Sequence, residues 1–365
     1  MAVKILAMAP SSERPKWWWW AFIVAAAAIF LTLPEYADLG LQLDLSKIFI
    51  FGLLALSMSF LWGFGGMLSF GQTAFFGVGG YTYAVLSLNT GETTGSIFVA
   101  ILFAMIFAAI LGYFLIYGRI SAIYFSIITL VVTLVLEKGM RSTSSEYYTI
   151  GDVQLRGQNG ISLVPSLQVP WNPSVELFID GVFYLSVVVL ILVYVGLRLA
   201  LTTKFGRILV CIRENERRTE LLGYDSRRYQ LGAFIIAGGV AGLSGALFSV
   251  WNNFIAPEVM NLESAANVVI WVIIGGKATL IGPIVGTAAI EYMTTWLGQE
   301  SWVGQITLIL GPVLIVFVMV FKEGIIPTIG MGLALMFESL RGNSHGRATM
   351  KRRIWRTNIF SKRTN

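Results

Sequence analysis

The side chains best able to act chemically in this sequence are the charged residues between Lys204 and Arg228. This segment contains seven Lys/Arg and four Asp/Glu, and it lies between two long apolar stretches. Apolar residues recur within it at helical spacing, and Gly223 follows as a typical helix-terminating residue. The pattern predicts one short amphipathic helix whose apolar residues are Ile208, Leu209, Ile212, Leu221 and Leu222.

Two interpretations of this charged segment are open. A basic loop beside a membrane is often only a topology signal held near anionic lipid. The acidic residues Glu214, Glu216 and Glu220 favour a different role, because a lipid-binding segment would avoid them. We therefore predict a helix that docks against another protein.

Patterns that support catalysis are weak elsewhere in the chain. Residues 275–278 resemble the end of a phosphate-binding loop, but Trp271 stands where its first glycine belongs, and Ala278 replaces the magnesium-binding Ser/Thr. The single histidine, His345, lies in a polar tail and supports neither a metal site nor a Ser/His/Asp arrangement. The lone cysteine, Cys211, cannot form an intrachain disulfide and is expected to pack as a small apolar residue. We expect no enzyme activity and no metal site in this chain.

A second group of polar residues lies inside the apolar runs. Ser69, Gln72 and Thr73 cluster among glycines that leave backbone exposed, and Thr129 is a weaker candidate in a later run. Polar groups inside a membrane are costly unless they are paired, so they are candidates for a functional site. Two roles are open for them, namely hydrogen bonds to a solute on a translocation path or hydrogen bonds between helices.

Charged residues within the apolar runs are scarce. Glu291 lies within two turns of the outer end of its run, and we expect its carboxylate to extend to the membrane surface. We expect no Lys or Arg inside a confident run, which argues against a side-chain cation that recognises a solute carboxylate. Helix N-termini could do that work instead.

The composition defines the elements that must position these residues. Of the 365 residues 56% are hydrophobic and 13% are charged, and the mean hydropathy is +0.74, which indicates a polytopic membrane protein. Because about twenty apolar residues cross a bilayer, the sequence predicts an all-α transmembrane helical bundle of about ten spans, within a range of about eight to ten. The predicted runs are 17–33, 48–62, 67–88, 97–117, 120–136, 182–199, 231–251, 265–274, 280–297 and 303–321.

Three details of these runs matter for the fold. The first run is expected to be an uncleaved span rather than a signal peptide. The second and eighth runs are short and are expected to be broken or re-entrant helices that pack inside protein. Two glycine pairs, Gly238 with Gly242 and Gly282 with Gly286, have the spacing that lets helix backbones approach closely.

The distribution of Lys and Arg predicts the orientation. Residues 1–16, 200–230 and 322–365 fall on one side, and their basic excess makes that side cytoplasmic. The last of these segments carries nine Lys/Arg against two Glu and is expected to be a basic tail. Residues 17–321 form the transmembrane domain, in which the loop 139–178 lies outside. Although the pI is about 9.4, the basic residues lie at the chain ends and in one loop, which does not predict nucleic-acid binding.

Four stretches resemble the permease subunits of branched-chain amino acid ABC importers, a family that includes urea and short-amide importers. The resemblance extends from about Ile48 to Phe321, and the charged segment is its most specific part. Gln72 and Thr73 stand where many members carry His and Ala, which leaves an amino acid and urea or an amide open as substrates. The four stretches are LSFGQTAFFGVGGYTYA from Leu68, AIYFSIITL from Ala122, GQNGI from Gly157 and FGRILVCIRENERRTELLGYDSRRYQLGAF from Phe205.

The resemblance implies a multi-pass permease subunit of the bacterial inner membrane that moves a small polar nitrogen compound inward. It implies three kinds of partner: a second, related permease, two cytoplasmic ATPase subunits that bind the ATP and magnesium, and an external substrate-binding protein. This chain itself would then hold no cofactor. A self-sufficient channel or secondary transporter is the competing hypothesis, since it would need no ATPase. The resemblance places at the ATPase interface the residues Arg213, Glu214, Arg217, Glu220, Leu222 and Gly223.

Overall fold

The first long helix is far longer than the apolar run that predicts it. The computed structural model describes residues 38–169, 172–177, 179–299 and 324–328, together with residues 30 and 32. Helix α1 spans Leu39–Ser59 and continues as a π-helical turn, Phe60–Phe64, so that the whole helix has 26 residues. The prediction of a short or broken second span is therefore wrong.

The described residues form an all-α membrane bundle, as predicted. Five of their helices are long and apolar enough to cross a membrane, namely α1 with its π-helical turn, α3, α4, α5 and α8. The predicted runs 17–33 and 303–321 lie outside the described residues, except for residues 30 and 32. After α1 the helices are α2 Gln72–Thr90, α3 Thr94–Tyr117, α4 Ala122–Ser142, α5 Ile179–Thr202, α6 Lys204–Glu214, α7 Glu216–Leu221, α8 Ser226–Asn252, α9 Leu262–Gly275 and α10 Ile281–Gln299.

The apolar run 67–88 is not helical throughout. Residues 66–70 carry no helix, and α2 begins only at Gln72. The apolar residues before Gln72 follow α1 directly and read as the start of a span, so the sequence does not reveal this break. The short eighth run is confirmed, because α9 has 14 residues.

Helix α8 occupies the centre of the bundle and packs against α1, α2 and α3. Two of its glycines allow this packing, since a Cβ at Gly238 would overlap Ala108 and one at Gly242 would overlap Ala104. The partner residues on α3 are alanines, so both surfaces are small. The predicted close approach at this glycine pair is confirmed.

The second predicted glycine pair joins α10 to α9. A Cβ at Gly286 would overlap the carbonyl oxygen of Trp271, and one at Gly275 would overlap that of Gly282. These contacts are between backbones, which cannot move aside as a flexible side chain can. The two short helices are therefore held together along closely packed glycine surfaces.

The segment between α4 and α5 is ordered by short antiparallel strands. Strand β1 (Thr149–Ile150) pairs with β2 (Val153–Gln154), β3 (Ile161–Ser162) with β6 (Phe254–Ile255), and β4 (Gln168–Val169) with β5 (Asn172–Glu176). Two 3₁₀ turns accompany them, Gly157–Asn159 and Pro257–Met260. The β3–β6 pair ties this segment to the chain that follows α8, while its position outside the membrane stays a prediction.

Gly79→Ala provides a test of the central packing. A methyl group at Gly79 would overlap the backbone of Gly242, which should destabilise the protein by about 1–3 kcal/mol. Gly196→Ala is the matched control, since this helical glycine of α5 has no atom within 4 Å of the added group, and the change should be neutral or stabilising by up to about 1 kcal/mol. Thermal unfolding of the detergent-solubilised protein measures both, and equal melting temperatures would contradict the packing described.

Candidate functional site

The charged segment forms two helices, so the prediction of one amphipathic helix is wrong. The chain turns at Asn215, whose backbone is extended with φ −163° and ψ 101°. The Asn215 side chain accepts a hydrogen bond from the Arg218 backbone N at 2.9 Å and so caps the start of α7. Asparagine is a common N-cap, so Asn215 is the signal in the sequence for the start of a second helix.

The apolar residues of the two helices point in different directions. Ile208, Leu209 and Ile212 of α6 are buried, as an amphipathic helix requires. Leu221 and Leu222 are instead 87% and 49% exposed, so they do not belong to that buried face. Helices α6 and α7 together form a connector between α5 and α8. This α6–α7 connector therefore presents an exposed apolar corner at the end of α7.

Gly223 ends α7, as the sequence predicts. Its φ of +87° lies in the left-handed region, and its N–H donates to the Glu220 carbonyl at 2.8 Å. The Tyr224 N–H donates to the Thr219 carbonyl at 3.5 Å, which completes the hydrogen-bond pattern of a Schellman motif. This geometry fixes the sharp turn that exposes the apolar corner.

Arg213 is partly exposed, and its guanidinium reaches back to the bundle. Its guanidinium Nη1 donates to the Gly63 carbonyl oxygen in the π-helical turn of α1, and Nη2 pairs with Glu214 Oε1 at 2.6 Å. Gly66, with φ +75°, packs so closely that a Cβ there would lie 2.9 Å from Arg213 Cγ. Helix α6 is therefore fixed to the break between α1 and α2.

A cleft of about 620 Å³ lies between the α6–α7 connector, the α3–α4 turn and residues 65–67. Four predicted interface residues line it, whereas Leu222 and Gly223 do not. Arg119 and Arg227 also line it and were missing from the predicted set, although Arg119 was visible as a lone basic residue between two runs. The four predicted residues are Arg213, Glu214, Arg217 and Glu220.

The predicted translocation residues do come together. Ser69, Gln72, Thr73 and Thr129 are all at most 1% exposed and surround the start of α2. Ser69 Oγ accepts from the Gly71 N–H at 3.1 Å, and Thr129 Oγ1 accepts from the Phe70 N–H at 3.2 Å. In this conformation Ser69 and Thr129 therefore satisfy backbone groups, and their contact with a solute stays a prediction.

Two further hydroxyls of α4 complete this network through partners that the sequence does not reveal. Ser126 Oγ donates to the Leu68 carbonyl at 2.8 Å, and Thr133 Oγ1 donates to the Phe70 carbonyl at 3.3 Å. Ser126, Thr129 and Thr133 recur every three or four residues, which places them on one helix face. That spacing was the available signal for a shared partner.

Gln72, the first residue of α2, differs from its neighbours. Its Oε1 accepts a hydrogen bond from Ser57 Oγ at 3.1 Å. Its Nε2 is buried and has no hydrogen-bond partner in the described part of the chain. A buried amide with an unused donor is unusual and needs an explanation.

Two expectations about charged residues in the spans are wrong. Glu291 does not extend to the surface but is 9% exposed, and its Oε2 pairs with Lys47 Nζ at 2.8 Å. The Lys47 ammonium also lies 5.8 Å from the centre of the Phe51 ring. Arg198, inside α5, is 6% exposed and donates to Tyr194 Oη at 2.9 Å, so cations do occur within the predicted runs.

Apolar spans joined by a charged two-helix connector define a multi-pass membrane protein. Residues 41–321 match the family described as branched-chain amino acid transport system, permease component. The chain belongs to this family of permease components and is a multi-pass membrane protein.

Several curated proteins are similar to parts of the chain. The high-affinity branched-chain amino acid transport system permease protein LivM of Escherichia coli is 29% identical over 151 residues, which cover 40% of this chain and 35% of that protein. The inner membrane ABC transporter permease protein YjfF of E. coli is 27% identical, over 37% of this chain and 43% of that protein. The probable branched-chain amino acid transport permease protein LivM of Methanocaldococcus jannaschii is 25% identical, over 32% of this chain and 35% of that protein.

The matched stretches thus span well under two thirds of the length of these relatives. No solved structure matches the chain.

The thiol of Cys211 in α6 reports on the electrostatics of the connector. Burial raises its pKa above the ordinary value, and the neighbouring Glu214 carboxylate raises it further. Glu214→Gln should therefore lower the pKa and speed alkylation by iodoacetamide at mildly alkaline pH, because only the thiolate reacts. Since the chain has one cysteine, the rate can be read from mass spectrometry of the intact protein. Glu216→Gln is the control, and a rate change as large as that of Glu214→Gln would contradict the assignment.

Proposed function

We propose that this chain is a permease subunit of a bacterial inner-membrane ABC importer that carries a branched-chain amino acid inward. Urea or a short amide is the competing substrate class. The observation that carries the proposal is the contact of Arg213 with Gly63, because it joins a charged surface connector to the broken helix pair α1–α2. The names of the similar proteins support an amino acid as substrate.

Energy for transport enters from partner subunits in this proposal. Two cytoplasmic ATPases bind ATP and magnesium, and the connector α6–α7 docks against them. Leu221 and Leu222 enter an apolar groove of the ATPase, while Arg217 and Glu214 lie at its polar rim. The exposure of both leucines supports this arrangement, because exposed leucines at a charged corner are typical of a protein contact.

A second permease and an external binding protein complete the importer. Large apolar side chains of α3 and α4 are exposed, among them Phe98, Phe114 and Ile123. Such surfaces require lipid or another helical bundle beside them. The N-terminus, the α6–α7 connector and the C-terminal tail face the cytoplasm, which the basic residues support.

Movement of the connector reaches the polar cluster along a short path. The ATPases close on ATP and move α7, and α6 transmits the movement through Arg213 to Gly63. The break that follows leads directly to Ser69, Gln72 and Thr73. These three residues and Thr129 line the translocation path in the proposal.

The Lys47–Glu291 ion pair favours a secondary transporter as the second candidate function. Ionisable residues within spans are typical of proton-coupled carriers. Vesicles that contain this chain and its sister permease without the ATPases distinguish the two functions. Solute uptake by those vesicles would establish the carrier and exclude the importer.

Gly223→Val tests the docking of the connector. A β-branched residue is strained at φ +87°, so the corner should change shape, and ATP hydrolysis stimulated by binding protein should fall by about tenfold. Gly91→Val is the matched control, since Gly91 also has a positive φ and, like Gly223, has no atom within 4 Å of an added Cβ. Purified importer complexes in lipid vesicles provide the measurement.

A second variant tests the docking of the connector without straining the backbone. Glu220→Gln removes the charge but keeps an oxygen that can accept from Ser226 Oγ, now 2.8 Å from Glu220 Oε1. We expect a smaller loss of stimulated ATP hydrolysis with this variant. If neither variant changes the stimulation, the docking proposal is wrong.

A further inference from the structure

We propose that the N-terminal end of α2 binds the carboxylate of a free amino acid during transport, with the Gln72 amide as an additional donor. The inference rests on the proposed importer function and narrows its substrate class. Urea and short amides carry no negative charge, so a carboxylate site selects against them.

The position of this helix end is the first argument. Thr129 and Thr133 bind Phe70, and they lie seven and eleven residues into α4. At 1.5 Å per residue this corresponds to roughly 10 and 16 Å along the helix axis. The hydrocarbon layer is about 30 Å thick, so α2 begins well inside it. A helix N-terminus at that depth resembles the broken helices that hold anionic solute groups in transporters.

Backbone N–H donors at the start of α2 give a second line of support for the carboxylate site. The first N–H groups of a helix have no partner inside the helix, and α2 has no side-chain cap. Ser69 Oγ accepts from the N–H of Gly71, and no described side chain accepts from the N–H groups of Gln72, Thr73 or Ala74. These residues are at most 1% exposed, so bulk water cannot serve as the acceptor.

The Gln72 side chain is the third, independent argument. Its amide group carries two N–H donors, and Ser57 Oγ is its hydrogen-bond partner in the described structure. At least one N–H therefore has no partner in either orientation of the amide. This donor belongs to the first residue of α2, where the helix dipole also favours negative charge.

The chain supplies a side-chain acceptor at the starts of α7, α8 and α9, while α1, α3, α4 and α6 have none, as at α2. Asn261 accepts from the Ser264 N–H at 2.7 Å at the start of α9, and Asp225 accepts from the Arg227 N–H at 3.2 Å at the start of α8. The start of α2 has donors of the same kind in a buried position without such an acceptor. A carboxylate has several lone pairs and can accept from two backbone N–H groups and the amide together.

Binding of tritiated leucine to the purified permease–ATPase complex in lipid nanodiscs tests the inference without the binding protein. Unlabelled leucine and isovalerate, which both have a carboxylate, should displace the label, whereas leucinamide and urea should not. Gln72→Met keeps the approximate shape and removes the amide, so the Kd for leucine should rise at least about tenfold. Gln154→Met, at an exposed position in strand β2, is the matched control and should bind leucine as the wild type does.

The outcomes separate this inference from the proposed importer function. Equal displacement by leucine and leucinamide, or wild-type affinity in Gln72→Met, would overturn the carboxylate site. The competition series uses the unmodified protein, so it decides the matter even if Gln72→Met does not fold. Absence of leucine binding alongside ATP-dependent leucine uptake in vesicles would overturn the site and leave the importer intact. Absence of ATP-dependent uptake of leucine and of urea would count against the importer itself.

Discussion

Hydrogen bonding of the non-helical backbone between α1 and α2 is the constraint on which the rest of this structure depends. Inside a bilayer every backbone N–H and C=O must find a partner within the protein, because water is absent. The hydroxyls of Ser126, Thr129 and Thr133 on α4 meet the backbone of Leu68 and Phe70. Helix α4 therefore fixes the depth at which α2 begins, and with it the position of Gln72.

Close packing of α8 keeps this arrangement rigid. A Cβ at Gly245 would overlap the Phe76 carbonyl oxygen, and one at Gly79 would overlap Gly242, so the backbones of α2 and α8 touch directly. Helices in such contact move together, since interdigitated backbones leave no room for sliding. Because α8 also follows α7 in the chain, it connects α7 to α2 by a second route.

The sequence predicts the features that local pattern determines. Runs of apolar residues place most of the described spans, and glycine spacing identifies α8 and α10 as helices that a neighbouring backbone can approach closely. The sequence does not predict a structural feature that depends on a partner residue distant in the chain. The first turns of α1 contain Lys47, which reads as a polar boundary until its partner Glu291 is known. Met67 to Phe70 read as the start of a span, because the α4 hydroxyls that bind this non-helical backbone lie more than fifty residues further along the chain.

The residues of the α6–α7 connector divide into two groups for the same reason. A charge pattern shows that a residue is polar, but not which side of the helix meets the bundle. Leu221 and Leu222 face outward, whereas Arg213 binds Gly63 of α1 and Glu220 binds Ser226 of α8. A connector with both kinds of residue can transmit force, because a corner that only faced outward would move without displacing the spans. The two inward contacts reach α1 and α8, and both of these helices contact α2, where the unused donors of Gln72 lie.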